Sequence, residues 1–141
     1  MLGAPIAALA GDATAVWNQD RAPAADAVKI LTLPVRREGM DKAAFVHHWL
    51  VVHAGLALDG PGTRERLLRL ISTPADVRNV ADFARAPFDG IGVIQFDSAA
   101  SLSAEFASPH YRTVMAPDEP RFTDPEASRA MMVREIPVLP D

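Results

Sequence analysis

Three of the chain's four histidines fall within seven residues of the stretch FVHHWLVVHAGL, Phe45 to Leu56. An imidazole can ligate a metal or move a proton near neutral pH, so spacing decides which chemistry is open to them. On a helix at about 100° per residue, Phe45, Trp49, Val52 and Leu56 fall within about 60° of one another and predict the buried stripe. His48 then lies on one edge of that stripe, His53 on the other, and His47 points to solvent. Zinc-binding helices place histidines four apart on one face, and no pair here has that interval. The rings are expected to diverge, and no metal site is predicted. His53 stands one turn after Trp49, where a breaker-rich loop opens a rim. It is the candidate general base, although a helix C-terminus favours histidine through its dipole alone.

The fourth histidine, His110, sits beside Tyr111 in SPHYR, after Pro109. Such a pair can supply an acid or base and a phenolic donor, or can be plain helix surface. Asp118 and Glu119 are adjacent in PDEPRF. Neighbours in sequence point apart, so they form no carboxylate pair, but one of them can reach a cavity and orient a histidine. Gly60-Pro61-Gly62 lacks the spacing of a phosphate-binding loop.

These residues need elements to hold them. The 141 residues are 49% hydrophobic, which suits one globular domain with a real core. A net charge of −4 gives no basic face for nucleic acid. The lack of cysteine excludes disulfides, iron–sulfur clusters and a Cys nucleophile. The N-terminal run MLGAPIAALAGDATAVW has too short an apolar stretch for a membrane span and no basic residue before Arg21 to start a signal peptide, and the expected location is cytoplasmic. Residues 1–27 read as an appended arm or helix ending at the APAADA linker, and 28–141 as the domain.

Within the domain, VKILTLPVRR reads as a strand. Asp41 caps a helix over KAAFVHHWLVVHAGLAL, which Gly55 and then DGPG bring to a stop. RERLLRLIS (Arg64–Ser72) reads as a strand, and Thr73–Gly90 as a polar connection. GIGVIQFD is the clearest strand, and Ser98 caps a second helix over Ser98–Met115, disturbed by Pro109. MMVREIPVL (Met131–Leu139) closes as an edge strand with Pro137. The order βαββαβ predicts an α+β, ferredoxin-like fold, a four-stranded antiparallel sheet with both helices on one face. The bare face predicts a homodimer.

The ordered set RREGMDKAAFVHHWLVVHAGLA, FDGIGVIQFDS and DEPRFTD resembles the EthD domain of the dimeric α/β-barrel superfamily. The matching features are Phe45, Trp49 and His53 on the first helix, Asp89-Gly90, Phe96-Asp97-Ser98, Ser108-Pro109, and Asp118-Glu119 with Phe122. The resemblance spans about 28–138 and departs from pattern at Gly55, where the family often has proline. It implies a homodimer with a pocket between sheet and helices in each subunit. It also implies a cofactor-free lyase or isomerase acting next to a carbonyl on a small aromatic, polyketide-like or lactone substrate. On that reading His53 is the base, Asp118 or else Glu119 orients it, and Tyr111 or His110 donates to the enolate. Phe45, Trp49 and Phe96 line the pocket, with His48 at its border. The alternatives are a non-catalytic module that binds a small metabolite, and a haem- or oxygen-using enzyme with His53 or His110 as axial ligand.

Overall fold

The computed structural model describes residues 6–78 and 80–136. Among these the strands are β1 (Ala7–Ala8), β2 (Thr14–Asn18), β3 (Val28–Leu33), β4 (Leu67–Pro74), β5 (Ala84–Arg85), β6 (Gly90–Phe96) and β7 (Arg129–Val133). Strands β3, β4, β6 and β7 reproduce the expected βαββαβ order, antiparallel throughout, with β3 and β6 at the centre.

The sheet has five strands and not four. β2 lies antiparallel on β4, covering an edge whose N–H and C=O groups would otherwise be open. Its sequence, TAVWN, has the β-branched and aromatic residues that suit this position. Trp17 fastens it, with Nε1 donating to Leu67 O at 2.9 Å. The described part of the N-terminal segment is therefore extended and not helical, while β1 pairs with β5 in a separate two-stranded ribbon. RERLLRLIS divides, because Thr63–Arg66 forms one helical turn (α3) before β4 begins at Leu67. The closing strand is Arg129–Val133, and the expected residues 137–139, Pro137 included, lie outside the described residues.

The first helical run, 42–58, begins as α1 (Lys42–His47), where Asp41 Oδ1 accepts from Ala44 N at 2.7 Å. It passes through a π-helical segment, His48–His53, into α2 (Ala54–Leu58). The Ala54 N–H donates to Trp49 O, five residues back. This wider turn displaces everything after it by one position. The buried residues are Phe45, Trp49 and Ala54, and Val52, expected in the stripe, is 36% exposed. Gly55 does not end the helix. The run stops after Leu58, and Gly62 takes a left-handed φ of +77° in the turn that follows.

The second run begins as α4 (Ala99–Ala107), with Ser98 Oγ accepting from Ser101 N at 3.0 Å. It breaks at Ser108 before Pro109 and resumes through a second π-helical segment, Tyr111–Met115. α5 (Ala116–Asp118) and a 3₁₀ turn, Glu119–Arg121, complete it.

Packing of these runs on one sheet face gives two cores, Val28, Leu67 and Phe96 in one and Phe45, Trp49 and Phe122 in the other. On the other face Leu31 pairs with Val93 and Met131, and Val93 with Ile71, which forms an apolar row with Met131 62% exposed. Trp49 is seated by glycine. A Cβ at position 90 would stand 2.6 Å from Thr73 O and 2.7 Å from Trp49 Cζ3. Gly90→Ala should therefore lower stability by about 1–3 kcal/mol through overpacking, read as an earlier urea midpoint with an unchanged slope.

Candidate functional site

Between the sheet and the two helical runs lies a cavity of about 440 Å³, within the range of small-molecule sites. Its walls are mostly apolar, including Trp49, Leu70, Ile94, Phe96, Phe106 and Met115. Polar groups reach it from several elements: His53 from the first run, Tyr111 and Glu119 from the second, and Thr63 and Glu105 from the end near β4.

Behind His53 stands Asp118, which is only 2% exposed. Its Oδ2 lies 2.8 Å from His53 Nδ1, and both its oxygens lie 3.0 Å from His48 Nε2. Arg121 Nη1 is 4.0 Å away and largely exposed. Burial pushes the Asp118 carboxyl up, but hydrogen bonds from His53 and His48, with the charges of those rings, outweigh it and hold the carboxyl below its ordinary value of 3.8. An ionised Asp118 only accepts, so His53 Nδ1 and His48 Nε2 are the donors. In a neutral His53 that arrangement puts the lone pair on Nε2. Phe122 packs on both rings, stacked on His48 at 4.8 Å and tilted against His53 at 4.9 Å between centroids.

The rings thus converge where divergence was expected. At α-helical pitch five residues turn a side chain by about 140°, and the longer π turn brings position 53 back toward position 48. Even so, no group of three or more His, Cys, Asp or Glu side chains among the described residues is arranged to hold a metal ion.

The other expected positions fall out as follows. Trp49 and Phe96 line the cavity. Phe45 does not, being 1% exposed and packed behind Trp49 and Phe122. His48 contacts Asp118 and not the cavity. His110 is turned away, its Nε2 donating to Leu56 O at 2.7 Å in a close fit against Gly60. Tyr111 does face the cavity, but its O–H donates to Glu119 Oε1 at 2.8 Å. Burial, then this bond and the charge of Glu119, raise its pKa, so the phenol stays protonated. Asp118 and Glu119 point apart as expected, one toward the histidines and the other toward Tyr111. The sequence reading missed the roles of Phe122 and of the Thr63–Glu105–Arg66 cluster, in which Thr63 Oγ1 donates to Glu105 Oε1 at 2.6 Å and Arg66 Nε to Oε2 at 2.8 Å. The paired Gly90 and Gly92 that open the slot for Trp49 were visible as GIG.

The EthD domain model matches residues 37–126, a span that holds both helical runs, His48, His53, Asp118 and Phe122. The chain belongs to the EthD family. An ethyl tert-butyl ether D family protein of Bacillus halodurans superposes with a TM-score of 0.60 at 23% identity, over 78% of this chain and 99% of that one. SnoaB of Streptomyces nogalater, a cofactor-independent oxygenase, superposes with a TM-score of 0.55 at 13% identity, over 83% of this chain and 100% of its own. At such identities the likeness carries the fold. No protein of curated function matches the sequence. Among the described residues no helix of this EthD protein is long and apolar enough to cross a membrane.

Because folding holds Asp118 below its ordinary value, its ionised form stabilises the fold above about pH 4, and that contribution fades as pH falls through the lowered pKa. Asp118→Asn should lose stability at pH 7. The gap from wild type should close below the ordinary value of 3.8, as urea unfolding across the range from pH 7 to acid will report.

Proposed function

We propose that this EthD protein is an enzyme that removes a proton next to the carbonyl of a small, oxygenated, largely apolar substrate, with His53 as the base. One observation carries the reading: His53 has Nδ1 on a buried carboxylate and its ring in an otherwise mostly apolar cavity. Asp118 fixes the tautomer and balances the charge of the imidazolium that forms, as an orienting carboxylate does. His48 and Phe122 hold that carboxylate and ring in place.

In the step itself the C–H bond breaks, the proton goes to Nε2, and the electron pair moves onto the carbonyl oxygen as an enolate. Return of the proton at another carbon makes an isomerase, and loss of a leaving group makes a lyase. Neither needs a cofactor. The volume and apolar walls fit an aromatic, polyketide-like or lactone compound. Tyr111 can donate to the enolate only by releasing Glu119, so it fits better as a fixed wall group. A second reading shares the first step. An enolate is electron-rich enough to react with dioxygen, and the structural neighbour SnoaB is an oxygenase that uses no cofactor.

The apolar row Met131–Leu31–Val93–Ile71 supports a homodimer joined through this sheet face. Val93→Glu should then sediment as a folded monomer, and a wild-type monomer at micromolar concentration would remove the idea.

For the chemistry, the probe is α-tetralone, a bicyclic ketone, and the measurement is exchange of its protons next to the carbonyl in heavy water by NMR. Wild type should accelerate exchange, and His53→Ala should lose about 10²–10⁴-fold of that acceleration. Equal exchange by the two proteins would exclude His53 as the base, binding without exchange would favour a non-catalytic module, and oxygen uptake would favour the oxygenase reading.

A further inference from the structure

Three carboxylates stand in or behind the cavity wall, and their hydrogen bonds decide what a ligand can offer them. Asp118 takes an imidazole donor on each oxygen. Glu105 Oε1 takes the Thr63 hydroxyl at 2.6 Å, and its Oε2 takes Arg66 Nε at 2.8 Å. Glu119 Oε1 takes the Tyr111 O–H at 2.8 Å. Glu119 Oε2 alone among these oxygens has no hydrogen-bond partner within the described residues, and the carboxylate forms no ion pair there.

That oxygen is not sealed off. Among the described residues no buried polar side-chain atom lacks a partner, so the unpartnered Oε2 is an open atom. The half-buried Glu119 lines the cavity beside Tyr111 and Phe122. Its position is also fixed. Tyr111 meets Phe106 edge-on at 4.6 Å between ring centroids, Phe106 meets Phe96 at 6.1 Å, and the phenol in turn holds Oε1. Thr123 Oγ1 donates to Glu119 O at 2.8 Å and ties the backbone of the same residue.

A carboxylate only accepts, and a phenol that has given its proton away has only lone pairs left. A ligand must therefore bring the donor to this part of the wall. The charge of Glu119 repels an acid, and the mostly apolar lining favours an uncharged group. An ammonium would donate too, but its desolvation costs far more than that of a hydroxyl. A hydroxyl meets every demand, and an O–H bond to a carboxylate is short and roughly twice as strong as a neutral one. Glu119 also follows Asp118 directly in the chain, so the open oxygen belongs to the segment that holds the base.

We propose that Glu119, positioned by Tyr111, accepts a hydrogen bond from a hydroxyl group of the substrate, and that the site thereby selects neutral hydroxy-ketones over plain ketones, ethers and acids. This rests on the proton-abstraction reading and names the substrate class for it.

The test compares α-tetralone with derivatives hydroxylated on the aromatic ring away from the carbonyl, their methyl ethers and an aminomethyl derivative. Binding to the full chain is read by calorimetry. The best hydroxyl compound should bind about tenfold tighter than α-tetralone and than its own methyl ether. A carboxylate that accepts the phenol's proton disfavours the phenolate, so absorbance should show the bound compound ionising at higher pH than the free one. Glu119→Gln should remove most of the preference and most of that displacement. Tyr111→Phe keeps the carboxylate, and should keep the displacement while weakening the preference. The comparison between ligands is made on wild type and stands even where a variant fails to fold.

Hydroxylated and plain α-tetralone binding alike, while His53-dependent exchange persists, overturns this role of Glu119 and leaves the proton-abstraction reading standing. A hydroxyl preference that survives Glu119→Gln overturns it as well, and tighter binding of the aminomethyl compound replaces the hydroxyl by a cation. A Glu119-dependent preference without exchange keeps the role and removes the base. Failure of every compound to bind at millimolar concentration overturns both.

Discussion

The interior of this molecule is organised by one carboxylate. Asp118 is almost wholly removed from water, and an ionised carboxylate in that position is tolerable only with donors on both oxygens. Two imidazoles supply them, and Phe122 packs against both rings. To satisfy Asp118, two helical runs far apart in sequence must stand at one separation and rotation over the sheet. The floor must then be flat enough for Trp49, one turn before His53, to lie down on it. Gly90 and Gly92 meet that need by leaving out the side chains that would lift the ring. The cavity is the space that remains once carboxylate, histidines and tryptophan have been placed.

The π-helical turn makes this possible. A regular helix through FVHHWLVVHAGL would send His48 and His53 to opposite flanks, and one carboxylate could reach only one of them. The wider turn costs ideal hydrogen-bond geometry and exposes Val52. In return it gathers both rings on one side and lets the buried stripe resume at Ala54. The second run has the same irregularity, with the Ala116 N–H donating to Tyr111 O, just before the segment that delivers Asp118. Both departures from α-helical pitch thus lie next to the convergent groups, a placement often seen at functional sites.

This explains which parts were legible in the sequence. Strand order, both helix caps and the ferredoxin-like arrangement follow from periodicity, Asp41, Ser98 and the DGPG stop, local signals that the structure bears out. The fifth strand was not legible, because TAVWN follows an alanine-rich run and its pairing depends on a distant edge. The positions of His53 and Asp118 were singled out, but their meeting was not, since it depends on a change of helical pitch that no single residue announces. His48 was taken for a border residue because the 3.6-residue period was carried one turn too far. Gly55 was read as a stop. The segment about it is held by packing, which overrides a single glycine's modest penalty.

The adjacent carboxylates Asp118 and Glu119 show how much environment decides a role. Asp118, hydrogen-bonded to two imidazoles, is held ionised. Glu119, one residue on, faces a phenol and keeps that proton out of use. With its proton committed to Glu119, the Tyr111 phenol is a fixed part of the cavity wall, and the ring of His53 reaches the same space from the other helical run with its Nδ1 held on Asp118.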